Sequence, residues 1–333
     1  MKKKFVLTLA LVLMVVVGLS AATPVEVSGS FKAGYEFKFA STNAFKADND
    51  SNFSTVVDFT GDFWKVSVDS GQGNLFADEQ GITATAELYL DKALAEQGTD
   101  MGDIALTLHV GDGVSTSAPT VLADVNEFRF RDGLGLAMTA SDNFGITLGY
   151  ASLVTVYFSA DPTVANALPM VVGATVTPID GVSVAVGFTN DFAGNNGLVV
   201  SAAADLAALA GLDIALDVTG EFLLDLDTSD TLITADASTT IAGIGLWVAY
   251  FKNATDVNAL AVKASYETAI EAFTVGGSVK AQMNDLSDIA GSDEYTIAAY
   301  AKYAMGGATY ALDASYAITA EEFILSPSVT IAF

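Results

Sequence analysis

Residues 322–333 end the chain with the sequence EFILSPSVTIAF, and this stretch decides the fold. Large apolar residues take every second position, with Pro327 as the exception, and the polar residues Glu322, Ser326, Ser328 and Thr330 all lie on the other parity. This period of two predicts a β-strand with one apolar face. Pro327 lies on the apolar parity, where proline predicts a local irregularity. A strand at the end of a large all-β chain needs a partner, and pairing with the first strand closes the sheet.

The same alternation recurs along the rest of the chain. We predict strands at residues 25–40, 53–59, 63–69, 82–90, 104–110, 125–140, 144–158, 170–176, 182–188, 198–206, 212–224, 231–241, 244–250, 260–266, 273–283, 295–305, 310–318 and 322–333. A helical turn is predicted at residues 92–96. The count is about 18 strands, and 16 is the alternative if single strands merge or bend at a bulge.

The connections between these strands alternate in length. Short turns, such as residues 242–243 and 306–307, alternate with longer polar loops, such as residues 41–52 and 284–294. Several strands reach the 9 to 11 residues, roughly, that cross a bilayer, and tyrosines lie near many strand ends. We therefore predict an all-β fold, a closed antiparallel transmembrane β-barrel that forms one domain over residues 23–333. The alternative, a soluble β-sandwich or β-helix, is disfavoured by the strand lengths.

The N-terminus has the features of a secretory signal peptide. Three lysines at positions 2–4 precede an apolar stretch at residues 5–19, and Ser20, Ala21 and Ala22 follow. We expect cleavage after Ala22, so that residues 1–22 are removed. A membrane anchor is the alternative, but the apolar stretch is short for a span of about 20 residues. Beyond residue 22 no apolar stretch approaches the length of a transmembrane helix.

The composition excludes several function classes. The 333 residues include no cysteine, which excludes disulfides and thiolate metal sites. Acidic residues number 40 against 14 basic ones, and cleavage would remove three of the lysines, leaving a net charge of about −29. Nucleic acid is therefore not an expected partner, because binding it requires basic patches.

Taken together, the two ends of the chain resemble those of bacterial outer-membrane β-barrel proteins. The terminal strand with Val329, Ile331 and Phe333 is similar to their C-terminal assembly signal. The resemblance implies that the protein lies in the outer membrane, contacts its lipid and is inserted by the outer-membrane assembly machinery. A barrel of 16 to 18 strands is porin-sized, and general porins are often homotrimers, although no residue pattern here identifies a subunit face. In trimeric porins the third external loop narrows the pore, but residues 111–123 lack the usual acidic cluster.

Charged residues follow the parity opposite to the apolar face. An Arg or Lys facing lipid at the bilayer midplane costs roughly 2 to 4 kcal/mol, and a carboxylate there is also unfavourable, so we expect these side chains to line the pore. The predicted pore-lining residues are Asp213, Asp217, Glu221, Asp225, Asp236, Glu127, Arg129, Arg131, Lys32, Lys38, Lys263, Lys280 and Lys302. The first four recur at every fourth position, roughly 13 to 14 Å apart along one strand. The excess of acid predicts a mild preference for cations; the alternative is that these side chains only keep the interior hydrated.

Other candidate sites are weak. Residues 48–52 and 225–230 are acidic runs, but both lack the glycine and distal glutamate of an EF-hand, so solvated loops are favoured over a calcium site. His109 is the only histidine, with Ser115 and Ser117 in a nearby loop. No triad, metal-ligand spacing or phosphate-binding loop accompanies it, so a solvated histidine is favoured. We predict no enzyme, no cofactor and no metal.

The predicted function is a channel for passive diffusion of ions and small hydrophilic solutes. Barrels of about 8 strands are filled by side chains, whereas 16 to 18 strands leave an aqueous channel. The alternative is a structural or adhesive outer-membrane protein that uses the barrel as an anchor. Loops of modest length disfavour a large adhesive surface.

Overall fold

The computed structural model describes residues 25–40, 46–48, 54–69, 83–111, 144–162, 168–190, 196–252, 257–289 and 293–333. Within them lie two short helices, α1 (Leu90–Glu96) and α2 (Leu206–Ala210). The strands are β1 (Glu26–Gly34), β2 (Glu36–Ala40), β3 (Lys46–Asp48), β4 (Ser54–Gly61), β5 (Trp64–Asp69), β6 (Thr83–Tyr89), β7 (Ile104–Gly111), β8 (Phe144–Tyr150), β9 (Val154–Ala160), β10 (Met170–Ile179), β11 (Val182–Asn190), β12 (Asn196–Asp205), β13 (Leu216–Asp225), β14 (Thr231–Ile241), β15 (Ile244–Lys252), β16 (Asn258–Ile270), β17 (Phe273–Met283), β18 (Asp293–Met305), β19 (Ala308–Ala317) and β20 (Glu322–Ala332).

All the described strands belong to one antiparallel sheet that closes on itself. β1 and β2 follow one another along β20 in one continuous register, so they form a single wall strand. β3 and β4 run back along β2 and β1 and form the next one. Counted in this way, the described part of the chain forms a barrel of 18 antiparallel wall strands. The predicted fold is confirmed, including the pairing of the last strand with the first.

Short turns and longer connections lie at opposite ends of the barrel. Residues 62–63, 180–181, 242–243 and 306–307 make tight turns at one end, and residues 226–230 and 284–289 follow strands at the other. Ala242 and Gly243 both have positive φ, at 51° and 81°. Two consecutive positive φ values match the right-handed twist of the flanking strands, which is why this turn is tight.

Two connections at the short-turn end contain the helices. The predicted helical turn at residues 92–96 is confirmed as α1. The short connection between the predicted strands at residues 198–206 and 212–224 contains α2, where the Asp205 carboxylate accepts a hydrogen bond from the N–H of Ala208 at 2.9 Å. Gly211 ends α2 in the left-handed conformation. No helix of the described residues is long and apolar enough to cross a membrane.

One hairpin differs from the prediction. Residues 144–158, predicted as one strand, form β8 and β9 around a turn in which Ala151 and Ser152 have positive φ. Tyr150 pairs with Val154 across the turn, so the apolar face keeps the same parity on both sides and the alternation hides the turn. The predicted strand at residues 125–140 lies outside the described residues. β7 pairs directly with β8, and with β8 and β9 counted separately the described strands give the total of 18.

The barrel closes where β20 pairs with β1 and β2, and this closing seam contains an irregularity next to Pro327. β20 continues through Pro327, which pairs with Leu312 of β19. The interruption lies instead in the neighbouring wall strand at Tyr35, whose N–H donates to the carbonyl oxygen of Pro327 at 3.0 Å. Proline has no N–H to donate in return, so the ladder is broken at this point. At the chain end, Gly29 and Phe333 exchange backbone hydrogen bonds of 2.8 and 3.0 Å.

Candidate functional site: the inner face of the barrel

The pairing register assigns each strand residue to one face of the sheet, because directly opposite residues share a face. One face carries large apolar side chains such as Val184, Phe222 and Val248, which are 41%, 37% and 41% exposed. The other carries polar side chains, of which Ser159 and Ser201 are 0% and 1% exposed. A polar side chain of the wall can be fully covered only inside the barrel. The apolar face is therefore the outer face, and the polar face is the inner one.

Most of the predicted pore-lining residues lie on the inner face. Lys32, Lys38, Asp217, Glu221, Asp225, Asp236, Lys263, Lys280 and Lys302 do so. Asp213 lies in the connection between α2 and β13, outside any strand. Glu127, Arg129 and Arg131 lie outside the described residues. A pore-lining role for the whole set stays a prediction.

The predicted ladder of four carboxylates is shorter than expected. β13 begins at Leu216, because α2 and its capping glycine take up the preceding residues. Asp217 is exposed, whereas Glu221 and Asp225 are only 4% and 7% exposed. The Asp225 carboxylate accepts hydrogen bonds from the N–H groups of Asp227 and Thr228 at 2.8 and 3.1 Å, so it shapes the turn after β13. Of the three members within the strand, Asp217 is the one open to solvent.

Across the whole described wall, the inner face has more acid than base. Its basic side chains are the six lysines Lys32, Lys38, Lys65, Lys263, Lys280 and Lys302. Its fourteen acidic side chains are Glu26, Glu36, Asp58, Asp69, Glu87, Asp205, Asp217, Glu221, Asp225, Asp236, Glu267, Glu294, Asp313 and Glu322. This excess is distributed around the barrel and does not depend on β13.

One row of paired inner-face residues changes sign along its length. It runs across seven neighbouring strands from acid to base, in the order Asp205, Asp217, Ser238, Trp247, Lys263, Lys280 and Thr296. A cavity of about 230 Å³ lies beside the row and is lined by Asp217, Trp247 and Lys263, among others. Opposite charges therefore face one another across an aromatic side chain. We call these seven residues the mixed row.

Asp236 holds the tryptophan of the mixed row in place. Its carboxylate accepts a hydrogen bond from Trp247 Nε1 at 3.2 Å and another from the hydroxyl of Thr219. Two donors on neighbouring strands thus fix the carboxylate, and the carboxylate orients the indole. Sequence reasoning found Asp236 but missed Trp247, although its inner parity beside the outer-facing Leu246 and Val248 was a usable signal.

His109 is not the solvated histidine that the sequence predicts. Its side chain is 15% exposed, with Nε2 at 3.0 Å from Thr147 Oγ1 and Nδ1 at 3.8 Å from Glu87 Oε1. Glu87 also accepts a hydrogen bond from the hydroxyl of Tyr89 at 2.8 Å. These contacts hold the imidazole against the inner wall. Ser115 and Ser117 lie outside the described residues.

An apolar cluster on the inner face was not predicted. It consists of Tyr157, Val171, Val199, Leu223, Leu232, Phe251 and Ala259, each at most 5% exposed. These residues lie toward the long-connection end of β9, β10 and β12–β16. Pairs of adjacent apolar residues, such as Leu223 with Leu224 and Leu232 with Ile233, were the available signal, because in such pairs both faces of the strand are apolar. We call these seven residues the inner apolar cluster.

Two inner-face tyrosines lie flat against glycines of the neighbouring strand. A Cβ atom on Gly173 would lie 2.3 Å from Cζ of Tyr157, and one on Gly276 would lie 2.5 Å from Cζ of Tyr300. The hydroxyl of Tyr300 donates to Glu267, and Lys302 Nζ lies 4.7 Å from the centre of its ring. Because neither glycine has a side chain, both rings have room to lie against the wall.

The acidic run at residues 225–230 is engaged in local hydrogen bonds. Besides the turn shaped by Asp225, the Asp227 carboxylate accepts hydrogen bonds from the side-chain amide of Asn196 at 3.0 and 3.1 Å. In the described ranges, no group of three or more His, Asp or Glu residues is arranged to hold a metal ion. For residues 48–52, the structure describes only the backbone of Asp48.

Sequence comparison finds no relatives: no family model matches the chain, and no curated protein is significantly similar to it. Solved structures are similar in fold. A double-substitution variant of Rhodopseudomonas blastica porin matches with a TM-score of 0.50 and 12% identity, over 93% of this chain and 100% of that chain. A triple-substitution variant of the same porin matches with a TM-score of 0.51 and 13% identity over the same shares. At such low identity the likeness concerns the fold alone, and it shows that this chain has the closed antiparallel barrel of those porin structures.

Proposed function

We propose that this protein is a porin-like channel of the outer membrane through which ions and small hydrophilic solutes diffuse passively, with a mild preference for cations. The observation that carries the proposal is the closed wall of 18 strands with an apolar outer face. Barrels of 16 to 18 strands leave room for an aqueous channel, whereas about 8 strands are filled by side chains. The similar fold of the porin structures supports the same conclusion.

The cation preference follows from the charge of the inner face. Fourteen carboxylates and six lysines lie there in the described strands, and the mature chain has a net charge of about −29. Charges more than about 8 Å apart are largely screened at physiological salt, so each carboxylate acts locally. The expected selectivity is therefore modest.

Conductance of the purified, refolded mature protein in a planar bilayer tests the channel. We expect discrete current steps, and a reversal potential in a KCl gradient that has the sign for cations. Asp217→Asn combined with Glu221→Gln should shift the reversal potential toward zero, whereas Asp285→Asn, in the connection between β17 and β18, is the matched control and should not. Anion preference in the wild type, or equal shifts in variant and control, would contradict the proposed selectivity.

One observation favours the alternative of a structural barrel. The inner apolar cluster is buried, and buried side chains inside the lumen reduce the open cross-section. A correctly folded barrel that passes no current would support the structural function and refute the channel. The heat-dependent shift in gel mobility that barrels show confirms folding in the same sample.

The route to the membrane completes the proposal. Residues 1–22 act as a cleaved signal peptide, and the assembly machinery recognises Val329, Ile331 and Phe333. Phe333→Asp should leave secretion intact and reduce membrane insertion. Because Phe333 also closes the barrel through its backbone, the purified variant should still refold in detergent; undiminished insertion in cells would refute the assembly role. Chemical crosslinking of the membrane-inserted protein tests whether it forms the trimer common among general porins.

A further inference from the structure

Another cavity lies on the outer face of the barrel. It has a volume of about 680 Å³ and crosses β14–β18. Leu246, Val248 and Val262 line it, and the register places all three on the outer face, where they are exposed. The residues that alternate with them along the strands face the lumen, so the floor of the cavity is the backbone of the wall. We call this cavity the outer groove.

Two neighbouring rows of outer-face residues form the sides of the outer groove. In one row, Ala264 lies directly opposite Leu246 on one side and Val279 on the other. In the next row, Ala281 lies directly opposite Val262. Both alanines line the groove. Each presents one methyl group where these neighbours present a branched side chain, so the outer surface is lower at the alanines than around them.

The direction of the outer groove follows from the rows that form it. The rows run across the strands, and the four strand steps from β14 to β18 cover about 19 Å. Because barrel strands tilt by roughly 35 to 45°, the groove is inclined to the membrane plane by the same angle and rises roughly 11 to 13 Å along the membrane normal. One leaflet of the hydrocarbon core is about 15 Å thick. The groove therefore extends through most of one leaflet.

A tyrosine marks the end of the outer groove toward the long connections. Tyr295 lines the groove and is the third residue of β18, and its hydroxyl donates to the Asp293 carboxylate. Tyrosine has an apolar ring and a polar tip, and rings of aromatic residues lie at the interfaces of membrane barrels. This end thus lies at the level of lipid headgroups, and the groove leads from there into the hydrocarbon.

We propose that the outer groove binds one acyl chain of a membrane lipid, whose headgroup lies at the level of Tyr295. The proposal rests on the membrane location proposed above. A chain in the groove contacts protein on its floor and on both sides, whereas a chain against the flat wall contacts protein on one side only, so the groove retains it by added dispersion contacts. The volume is within the roughly 300 to 1,000 Å³ of ligand pockets.

A second copy of the barrel is a poorer fit to the outer groove. A stable interface between two copies buries about 1,200 to 2,000 Å² in total, which requires a broad surface. A barrel wall is too wide and too stiff to enter a groove between adjacent rows of side chains, whereas an acyl chain is thin and flexible.

Native mass spectrometry of the refolded protein with added dipalmitoyl phosphatidylethanolamine tests the proposal. We expect saturable binding of one lipid molecule. Ala264→Leu combined with Ala281→Leu fills the groove and should weaken this binding at least about tenfold, and Ala281→Leu alone should weaken it less. Ala202→Leu is the matched control, because Ala202 is an exposed outer-face residue of β12 outside the groove, and it should leave binding unchanged. The heat-dependent gel shift verifies that each variant is folded.

Dihexanoyl phosphatidylethanolamine has the same headgroup on chains too short to fill the groove, and it should bind at least about tenfold more weakly. Equal binding of the two lipids, or equal effects of the filling and control variants, would overturn the proposal. A wild-type mass of two or more copies that becomes one copy on filling the groove would assign it to a second copy instead. Current through the same preparation separates this proposal from the channel. A conducting protein that retains no lipid refutes the groove alone, whereas lipid binding without current refutes the channel alone.

Discussion

Replacing Gly276 by alanine should destabilise the barrel, because the ring of Tyr300 occupies the space of the new methyl group. A Cβ atom at position 276 would lie 2.5 Å from Cζ, 2.6 Å from the hydroxyl oxygen and 2.7 Å from Cε1 of Tyr300. Real Cβ atoms do not approach other heavy atoms below about 3.0 Å, so the ring has to move away from the wall. Its hydrogen bond to Glu267 and its contact with Lys302 oppose that movement.

The size of the effect follows from overpacking at this one contact. Forcing an extra methyl group into a filled site costs typically about 1 to 3 kcal/mol, and the three close distances to Tyr300 place Gly276→Ala in that range. Gly149→Ala is the matched control, because Gly149 also faces inward and its Cβ would meet only Ala105 Cβ at an ordinary 3.5 Å. The control should change the free energy of unfolding by no more than about 0.5 kcal/mol.

A double-mutant cycle identifies the partner. Every close atom is in the Tyr300 side chain, so Tyr300→Ala should remove the penalty of Gly276→Ala and give a coupling energy of about 1 to 2 kcal/mol. Urea unfolding of the protein refolded into vesicles, followed by tryptophan fluorescence, measures each corner of the cycle. The reasoning is refuted if Gly276→Ala is as mild as Gly149→Ala, or if its penalty persists without the tyrosine ring.

Three further changes give separate tests. Asp205→Ala should lower the free energy of unfolding by about 1 kcal/mol, because the carboxylate caps α2, whereas Asp213→Ala in the same connection should not; equal effects in urea unfolding would refute the capping role. The side chain and backbone N–H of Ser287 donate to Asp285 in the connection before β18 and hold the pKa of that carboxyl below its usual value. These hydrogen bonds stabilise the folded protein fully above the ordinary pKa of the carboxyl, and this stabilisation is lost as the pH falls through the lowered pKa. Ser287→Ala should therefore raise the pKa of Asp285 in an NMR titration. An unchanged pKa would contradict this assignment. Gly29→Ala would place a Cβ atom 2.4 Å from a backbone oxygen of β4, so it should lower the temperature at which heat abolishes the gel-mobility shift; an unchanged temperature would contradict a tight seam.

The wall could be predicted from the sequence because one physical demand applies to every strand. The outer face has to be apolar in each strand, so the alternation is repeated throughout the chain. β14 and β17 have the predicted bounds of residues 231–241 and 273–283. The hairpin of β8 and β9 was wrongly predicted as one strand, because its turn keeps the apolar residues on the same parity and the alternation therefore continues through it.

The inner face could be predicted only as a set. Parity identified Lys263, Lys280 and Asp217 as inward-facing, but which residues become neighbours depends on the register of each strand pair. That register aligns Lys263 with Lys280 and with Trp247, which lie 17 and 16 positions away in the chain. The inner apolar cluster was missed for a related reason. In the sequence, each member is a single apolar residue at a position where the alternation predicts a polar one. Only the register shows that these residues are neighbours in the sheet.

The two faces therefore differ in what they determine. On the outer face, any large apolar side chain satisfies the environment, so positions such as Phe222 and Val248 specify the barrel without specifying its use. On the inner face the wall requires no particular charge, because small uncharged residues (Ser, Thr and Ala) occupy most inner positions of β19 and β20. The change of sign from Asp217 to Lys263 and Lys280 is thus not explained by folding. Under the channel function proposed above, its explanation lies in the solutes that would pass along that face.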